Sequence, residues 1–247
     1  MRFLGAVCTI VALGSLTGCG RVVTGVASGP GTTAPSRADA PAWLTREVAW
    51  QTLSAGAAHS LPCDWTTTTL TRAASVAGDS GPFLRLMGAH SRARVYVVTV
   101  SGRFATGKGS TLGTSTLCLI LRPDRYVLAL RSVDGRVDLR RFGPVRSFVT
   151  TLPAAGVWGH TMFEGGPAPG GPMPIAHAVV GVWRGTSPSG AVWHTVRSDR
   201  DGFFALSLAP GTYTFELLER DHGFPTASAV TVTAGHAVAV GVYGQAP

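Results

Sequence analysis

The spacing of apolar and polar residues changes along the chain, and each change predicts a different kind of structure. Between residues 43 and 54 the apolar side chains recur at helical spacing, which predicts a helix. Residues 94–100 are mostly β-branched and predict a strand, and two further strands are predicted on either side of the Pro123-Asp124 turn. Residues 42–153 are therefore predicted to form an α+β domain.

From residue 154 onward, short apolar runs alternate with turns rich in Gly and Pro. The predicted strands cover residues 176–184, 192–197, 203–208, 212–217, 229–232 and 237–242. Short strands at regular spacing, separated by such turns, are typical of an all-β sandwich of the immunoglobulin-like kind. Residues 154–247 are therefore predicted to form a second domain, an all-β sandwich.

Two short motifs in this second half carry a family resemblance. Residues 198–204 read S-D-R-D-G-F-F, and residues 208–213 read L-A-P-G-T-Y. They resemble the T-D-x-D-G-x-F and L-P-P-G-x-Y signatures of carboxypeptidase-regulatory-like domains, and the resemblance extends over residues 154–247. It implies a prealbumin-like β-sandwich and says almost nothing about activity, because one fold carries many functions.

The first residues have the pattern of an export signal. A single basic residue, Arg2, precedes an apolar run over residues 3–16, which is shorter than the roughly 20 residues that a membrane-spanning helix needs. The run ends in L-T-G-C at residues 16–19, which resembles the lipobox of bacterial lipoproteins. This resemblance implies that residues 1–18 are a signal peptide, and that Cys19 receives a diacylglycerol and begins the mature protein.

The segment after the lipobox is predicted to be a tether. Residues 20–41 consist mainly of Gly, Ala, Ser, Thr and Pro and carry few charges, a composition typical of flexible linkers. Together with the lipidated cysteine, residues 19–41 would therefore form a lipid-anchored tether. The expected location is the extracytoplasmic face of the cell membrane.

The cysteines are interpreted in the light of this export signal. Cys8 would be removed and Cys19 acylated, which leaves Cys63 and Cys118 as an even pair in an exported chain. A disulfide between them is expected, closing a loop of about 55 residues that would contribute roughly 3–4 kcal/mol of stability. The alternative is two separate buried thiols.

Charge is distributed unevenly along the chain, whose formal net charge is +8. Residues 42–153 hold thirteen Arg and one Lys against six acids, whereas residues 154–247 hold four Arg against six acids. A basic domain tethered to a membrane would be attracted to anionic lipid or to an anionic cell-wall polymer. A nucleic acid partner is not expected outside the cell. The alternative is a solvated arginine surface without a partner.

Catalytic motifs are weak. The G-D-S-G-P sequence around Ser80 and the A-A-H sequence ending at His59 imitate the two loops of chymotrypsin-like proteases. In that family the base and the nucleophile come from separate β-barrels, whereas these two residues are only 21 positions apart. No catalytic residue and no enzymatic activity are therefore predicted.

Metal and cofactor sites are not predicted either. Asp199 and Asp201 could begin a calcium loop, but the later glutamate that completes such a site does not follow at the required spacing. His177 and His194 fall on neighbouring predicted strands, outside any metal-binding spacing. A structural turn and ordinary histidines are the simpler interpretation.

Two tryptophans are the candidate ligand platform. If the alternate residues before it face the core, Trp183 faces outward, and Trp193 follows on the next predicted strand. Exposed aromatic side chains often mark a surface that binds carbohydrate or protein. The alternative is that the first domain covers both rings.

These observations predict a lipid-anchored extracytoplasmic protein with a structural or recognition role at the cell envelope and no enzymatic activity. The first alternative is an accessory module that binds envelope glycans through Trp183 and Trp193. An uncharacterised hydrolase is the least supported alternative, because no nucleophile and base pair is recognisable.

Overall fold

The computed structural model describes residues 39–74, 92–104, 115–125, 127–164, 172–219 and 223–245. The lipobox with Cys19, most of the predicted tether and Ser80 of the protease-like motif lie outside these residues. All described residues belong to one compact unit, Pro35–Pro247. Among them, no helix combines the length and the apolar character that a membrane crossing requires.

The described part of the chain is mostly β-structure with few helices. The helices are α1 (Ala42–Ser54), α2 (Leu70–Ala74) and a 3₁₀ turn at Leu139–Arg141. The strands are β1 (Pro62–Thr69), β2 (Arg94–Gly102), β3 (Ser115–Leu121), β4 (Val127–Asp134), β5 (Arg146–Val149), β6 (Gly156–Glu164), β7 (Met173–Pro174), β8 (Val179–Arg184), β9 (His194–Arg197), β10 (Phe203–Leu206), β11 (Gly211–Leu217), β12 (Phe224–Thr226), β13 (Ser228–Val232) and β14 (Ala237–Gln245).

The first sheet has the strand order β4-β3-β2-β1-β5, and every neighbouring pair is antiparallel. One face of the sheet packs against α1 through residues that include Trp65, Val98 and Leu119. The other face packs against α2 and the 3₁₀ turn through residues that include Val97 and Ile120. Burial on both faces explains why β2 and β3 have nearly continuous apolar sequences instead of alternating ones.

The predicted disulfide between Cys63 and Cys118 is wrong. Cys63 in β1 pairs with Val100 of β2, whereas Cys118 in β3 pairs with the adjacent β2 residue, Thr99. Because successive residues of a strand point to opposite faces, the two cysteines belong to different clusters on opposite sides of the sheet. Their strands are about 10 Å apart with β2 between them, and a disulfide needs Cα atoms within about 7 Å. Both are buried thiols.

Two further sheets share one apolar core. The second sheet has the order β10-β6-β14-β12, with β7 also paired to β6, and the third has the order β13-β11-β8-β9. Only the β6–β14 pair is parallel among the described strands. Val240 and Val242 from the second sheet pack against Val180, Val182 and Phe215 from the third. This arrangement is compatible with a β-sandwich.

Helix α1 packs against the first sheet on one side and against the second sheet on the other. Leu44 and Val48 belong to the cluster that covers the first sheet, whereas Trp50 packs with Met162 and Phe203 on the outer face of the second sheet. Side chains on both sides of the helix are therefore buried. The helix connects the two halves of the described chain through its own side chains.

Candidate functional site

The two tryptophans predicted as a ligand platform differ in exposure. Trp193 is 45% exposed, but Trp183 is only 7% exposed, so the expectation that Trp183 faces solvent is wrong. The indole of Trp183 folds back over Gly181, where an added Cβ would lie 2.6 Å from the ring, and its Nε1 donates to the carbonyl oxygen of Gly190 at 3.3 Å. Strand alternation could not show that a glycine leaves room for the ring to lie flat on the sheet.

Trp193 has other neighbours. The guanidinium carbon of Arg184 lies 4.8 Å from the centre of the Trp193 ring, and the ring of Tyr213 is 5.7 Å away, measured between centroids. An arginine stacked on an indole is a favourable cation–π contact. Of the two predicted platform residues, Trp193 alone therefore offers an exposed ring, and part of its surface is already occupied by an arginine.

A tight turn between β9 and β10, here called the aspartate turn (residues 199–203), is held by its own residues. The Oδ1 atom of Asp199 accepts hydrogen bonds from the backbone N–H groups of Asp201 at 2.8 Å and Phe203 at 3.1 Å. Gly202 has a φ of +82°, a conformation that glycine adopts without a steric penalty. The S-D-R-D-G-F-F motif thus supplies both the cap and the glycine that this turn requires.

Arginines from the first half of the chain contact the aspartate turn. Arg46 in α1 forms an ion pair with Asp199, and its Nη1 lies 3.5 Å from Asp201 Oδ2. Arg125, at the connection between β3 and β4, places Nη1 2.6 Å from Asp201 Oδ1 and donates to the Arg200 carbonyl oxygen at 3.2 Å. Asp201 is 5% exposed, and a carboxylate is buried at acceptable free energy only when it is paired. The two arginines supply that pairing.

These aspartates therefore face arginine side chains where a calcium loop would hold a metal ion. Burial disfavours the ionised form of Asp199, but the hydrogen bonds from Arg46 and from two backbone N–H groups outweigh it and hold the pKa of Asp199 below its ordinary value. Among the described residues, no three His, Cys, Asp or Glu side chains are grouped closely enough to hold a metal ion. Neither His177 nor His194 belongs to such a group of described residues.

A buried acid and base lie between α1 and the second sheet. Glu47 of α1 and His160 of β6 are each 2% exposed, and Glu47 Oε2 is 3.5 Å from His160 Nδ1. The other carboxylate oxygen of Glu47 accepts a hydrogen bond from Gln51 at 2.9 Å. The His160 ring stacks on Phe203 at 4.1 Å between centroids, and Trp50 meets it edge-on at 5.3 Å. The pair is enclosed by aromatic rings.

This environment disfavours charge on both partners. Burial raises the pKa of Glu47 to about 7, with the Gln51 hydrogen bond opposing it. Burial lowers the pKa of His160 to about 3, and Arg46 acts in the same direction. A protonated Glu47 facing a neutral His160 is therefore the favoured state between about pH 3 and about pH 7. Perturbed acid and base groups are common in active sites, but these two are closed off from solvent.

A separate cavity of about 350 Å³ lies beside the end of α1. Its lining includes Leu53, Gly56, Ala57 and Val238, together with His236. The ring Nδ1 of His236 is 2.9 Å from the Ala234 carbonyl oxygen. The lining contains no carboxylate, thiol or cation, and neither member of the buried acid and base pair belongs to it. Its polar side chains among the described residues are those of Ser54 and His236.

Exposed arginines gather around α2. The backbone N–H of Leu70 donates to the Ala93 carbonyl oxygen at 2.9 Å, and the Arg72 guanidinium donates to the Arg141 carbonyl oxygen at 2.9 Å. These two hydrogen bonds bring the start of β2 and the 3₁₀ turn beside the helix. We call the result the arginine surface, formed by the exposed residues Arg72, Arg92, Arg140 and Arg141.

Comparison with known proteins does not assign the chain to a family. A scan against protein-family models finds no match, and no curated protein matches the chain significantly.

Sequence reasoning did not single out Glu47, His160, Arg46 or Arg125. One signal was present, because Glu47 lies on the same helical face as Leu44 and three positions after it. A charged residue on an apolar helix face indicates a buried partner. The identity of that partner depended on β6, which is more than a hundred residues away.

Proposed function

We propose that the protein is an extracytoplasmic lipoprotein, held at the cell membrane by a lipidated Cys19, with a structural or recognition role at the envelope and no enzymatic activity. The observation that carries this proposal is the L-T-G-C sequence at residues 16–19, directly after an apolar run of signal-peptide length. The Gly-, Ser- and Thr-rich segment that follows is suited to be a tether. The arginine surface supports an anionic envelope component as the partner.

In this proposal the folded part consists of an α+β domain over residues 42–153 and a carboxypeptidase-regulatory-like sandwich over residues 154–247. Two details support the second assignment. The first is the self-capped aspartate turn, in which Gly202 has a positive φ. The second is the Tyr213 hydroxyl, which donates to the Ala209 carbonyl oxygen at 3.0 Å and so ties the tyrosine of the L-A-P-G-T-Y motif to the turn before it.

The anchor is tested by Cys19→Ala, with Cys8→Ala as the matched control. Membranes are washed in about 1 M salt, which shortens electrostatic range to about 3 Å and releases protein held only by charge. Cys19→Ala should move the protein to the soluble fraction, whereas Cys8→Ala should leave it in the membrane. The intact mass of the native protein should include a diacylglycerol on Cys19. Membrane retention of Cys19→Ala after the wash, or an unmodified mass, would refute the anchor.

A glycan-binding accessory role remains the second candidate, because the exposed ring of Trp193 is available for stacking. It would be favoured if the protein sedimented with insoluble wall material and Trp193→Ala abolished that retention. Trp183→Ala is not an equivalent test, because that ring covers Gly181 and its removal would disturb the fold.

A further inference from the structure

Most of the arginine surface has no acidic partner in the part of the chain that the structure describes. Arg46 and Arg125 pair with the aspartate turn, and Arg122 pairs with Asp124. By contrast, three members of the arginine surface form no ion pair with any acid that the structure describes; they are Arg92, Arg140 and Arg141. Three exposed positive charges therefore lie around α2 without an ion pair among the described residues.

The nearest acid along the chain does not neutralise this surface. The carboxylate of Asp138 accepts the backbone N–H of Arg140 at 3.1 Å and caps the 3₁₀ turn. Arg141 extends over the ring of Phe142, with 4.7 Å from its guanidinium carbon to the ring centre. The guanidinium groups thus remain at the surface. Exposed like charges held close together repel one another, so this arrangement does not stabilise the fold.

The chemistry of these side chains selects the partner. A guanidinium group offers planar, paired donors that match the oxygens of a phosphate, and it is less strongly hydrated than an ammonium group. Four such groups on one surface would face several phosphates at once, as a layer of phospholipid headgroups presents them. Anionic headgroups also create a negative surface potential that attracts basic clusters within about a Debye length.

We propose that the arginine surface binds the anionic phospholipid headgroups of the membrane that carries the lipid anchor. The choice of lipid over wall polymer rests on the proposed function, since residues 20–41 would hold the folded part close to that membrane. A flexible segment of this length has a root-mean-square span of about 26 Å. The tether therefore raises the local concentration of headgroups around the arginine surface, as any short linker does for a second binding site.

The test uses the unlipidated chain from Gly20 to Pro247, which keeps every described residue and lacks the anchor. Co-sedimentation is measured with vesicles of phosphatidylglycerol and phosphatidylcholine, and with vesicles of phosphatidylcholine alone. We expect binding to the anionic vesicles only, and its loss at high salt. Absence of binding to anionic vesicles would overturn this proposal and leave the Cys19 anchor to be judged by its own experiment.

Two triple variants with the same net charge separate the surface from overall charge. The test variant is Arg92→Gln, Arg140→Gln and Arg141→Gln together. The control variant carries Arg103→Gln, Arg136→Gln and Arg200→Gln, three exposed arginines outside the arginine surface. At about fivefold per basic residue close to an anionic surface, the test variant should bind about 100-fold more weakly, and the control should stay within a few-fold of wild type. Equal losses in both would overturn the proposal.

A third variant guards against a folding artefact. Arg92→Lys, Arg140→Lys and Arg141→Lys together preserve the charge, so we expect most of the binding to remain. If this variant loses binding as completely as the glutamine variant, specific attraction by charge is refuted. A parallel sedimentation with insoluble wall material decides the source of the anion. Arginine-dependent retention on the wall material, without binding to vesicles, would replace the lipid by a polymer and overturn the proposal.

Discussion

Replacing Glu47 with glutamine should change how the stability of the protein depends on pH. Glutamine is isosteric, cannot ionise and keeps a donor that can face His160 Nδ1. In the folded protein the pKa of Glu47 is raised from 4.5 to about 7. A raised acid pKa stabilises the fold fully below pH 4.5, and this contribution is lost as the pH rises through about 7. The glutamine variant has no such loss.

The size of the effect follows from the difference between the two pKa values. At about 1.4 kcal/mol for each tenfold change in proton affinity, moving a pKa from 4.5 to about 7 corresponds to about 3 kcal/mol. Relative to wild type, Glu47→Gln should therefore gain about 3 kcal/mol in its free energy of unfolding between pH 4.5 and a pH above 7. The contribution of His160 is common to both proteins and largely cancels in their difference.

The assay is urea unfolding of both proteins, followed by tryptophan fluorescence, at a series of pH values across this range. Trp50 lies against His160 and serves as a local reporter. A difference in free energy that does not change with pH would refute a raised pKa. A variant that becomes relatively less stable as the pH rises would show that Glu47 is ionised in the fold and forms an ion pair with a protonated His160.

Replacing His160 should change the pH dependence of the free energy of unfolding in the opposite direction. Its pKa is lowered from 6.5 to about 3, so its contribution is fully present above pH 6.5 and is lost as the pH falls through about 3. Wild type should therefore lose stability on acidification across this window relative to His160→Gln. If both substitutions shifted the pH profile in the same direction, a neutral pair between Glu47 and His160 would be excluded.

Two further predictions concern the contacts that join the halves of the chain and the cysteines. Asp201→Asn should lower the free energy of unfolding by about 2 kcal/mol, because it removes the buried charge that pairs with Arg125 and Arg46. The loss is limited because both arginine side chains are about one-third exposed and can be hydrated by water once the carboxylate is gone. As a control in the same denaturation assay, Arg200→Gln should change the free energy of unfolding by less than about 0.5 kcal/mol, because that side chain is 82% exposed. Cys63 and Cys118 should react with a thiol reagent only after unfolding, because they are buried and burial raises the pKa of Cys63 to about 12. If neither cysteine reacted in the unfolded, unreduced protein, the predicted disulfide between them would be correct.

Local patterns along the chain predicted several elements correctly. Helix α1 at Ala42–Ser54 matches the apolar spacing of residues 43–54, and β2 contains the β-branched run at residues 94–100. The Asp201-Gly202 pair was recognisable as a turn, and Gly202 has the positive φ that explains its glycine. These features depend on interactions between residues close in sequence, so periodicity and turn chemistry are sufficient to identify them.

The two wrong predictions, the Cys63–Cys118 disulfide and the exposed ring of Trp183, have a different cause. The cysteine count and the predicted export signal favoured a disulfide, but the register of β1, β2 and β3 places Cys63 and Cys118 on opposite faces of the first sheet. Strand alternation assigned Trp183 to the outer face of β8, but its burial depends on space that Gly181 leaves above the sheet. Neither pairing register nor packing across a sheet is encoded within a short window of sequence.

The sequence by itself determined the apolar run at residues 3–16, the L-T-G-C motif that ends it, the uneven charge and the positions of the main elements, because each of these is a property of neighbouring residues. The tertiary structure alone decided which distant side chains meet. It placed Glu47 of α1 against His160 of β6, and Arg125 against Asp201. These contacts join residues 76 or more positions apart, and they form only because α1 packs against two sheets at once and the strand registers fix where each side chain points.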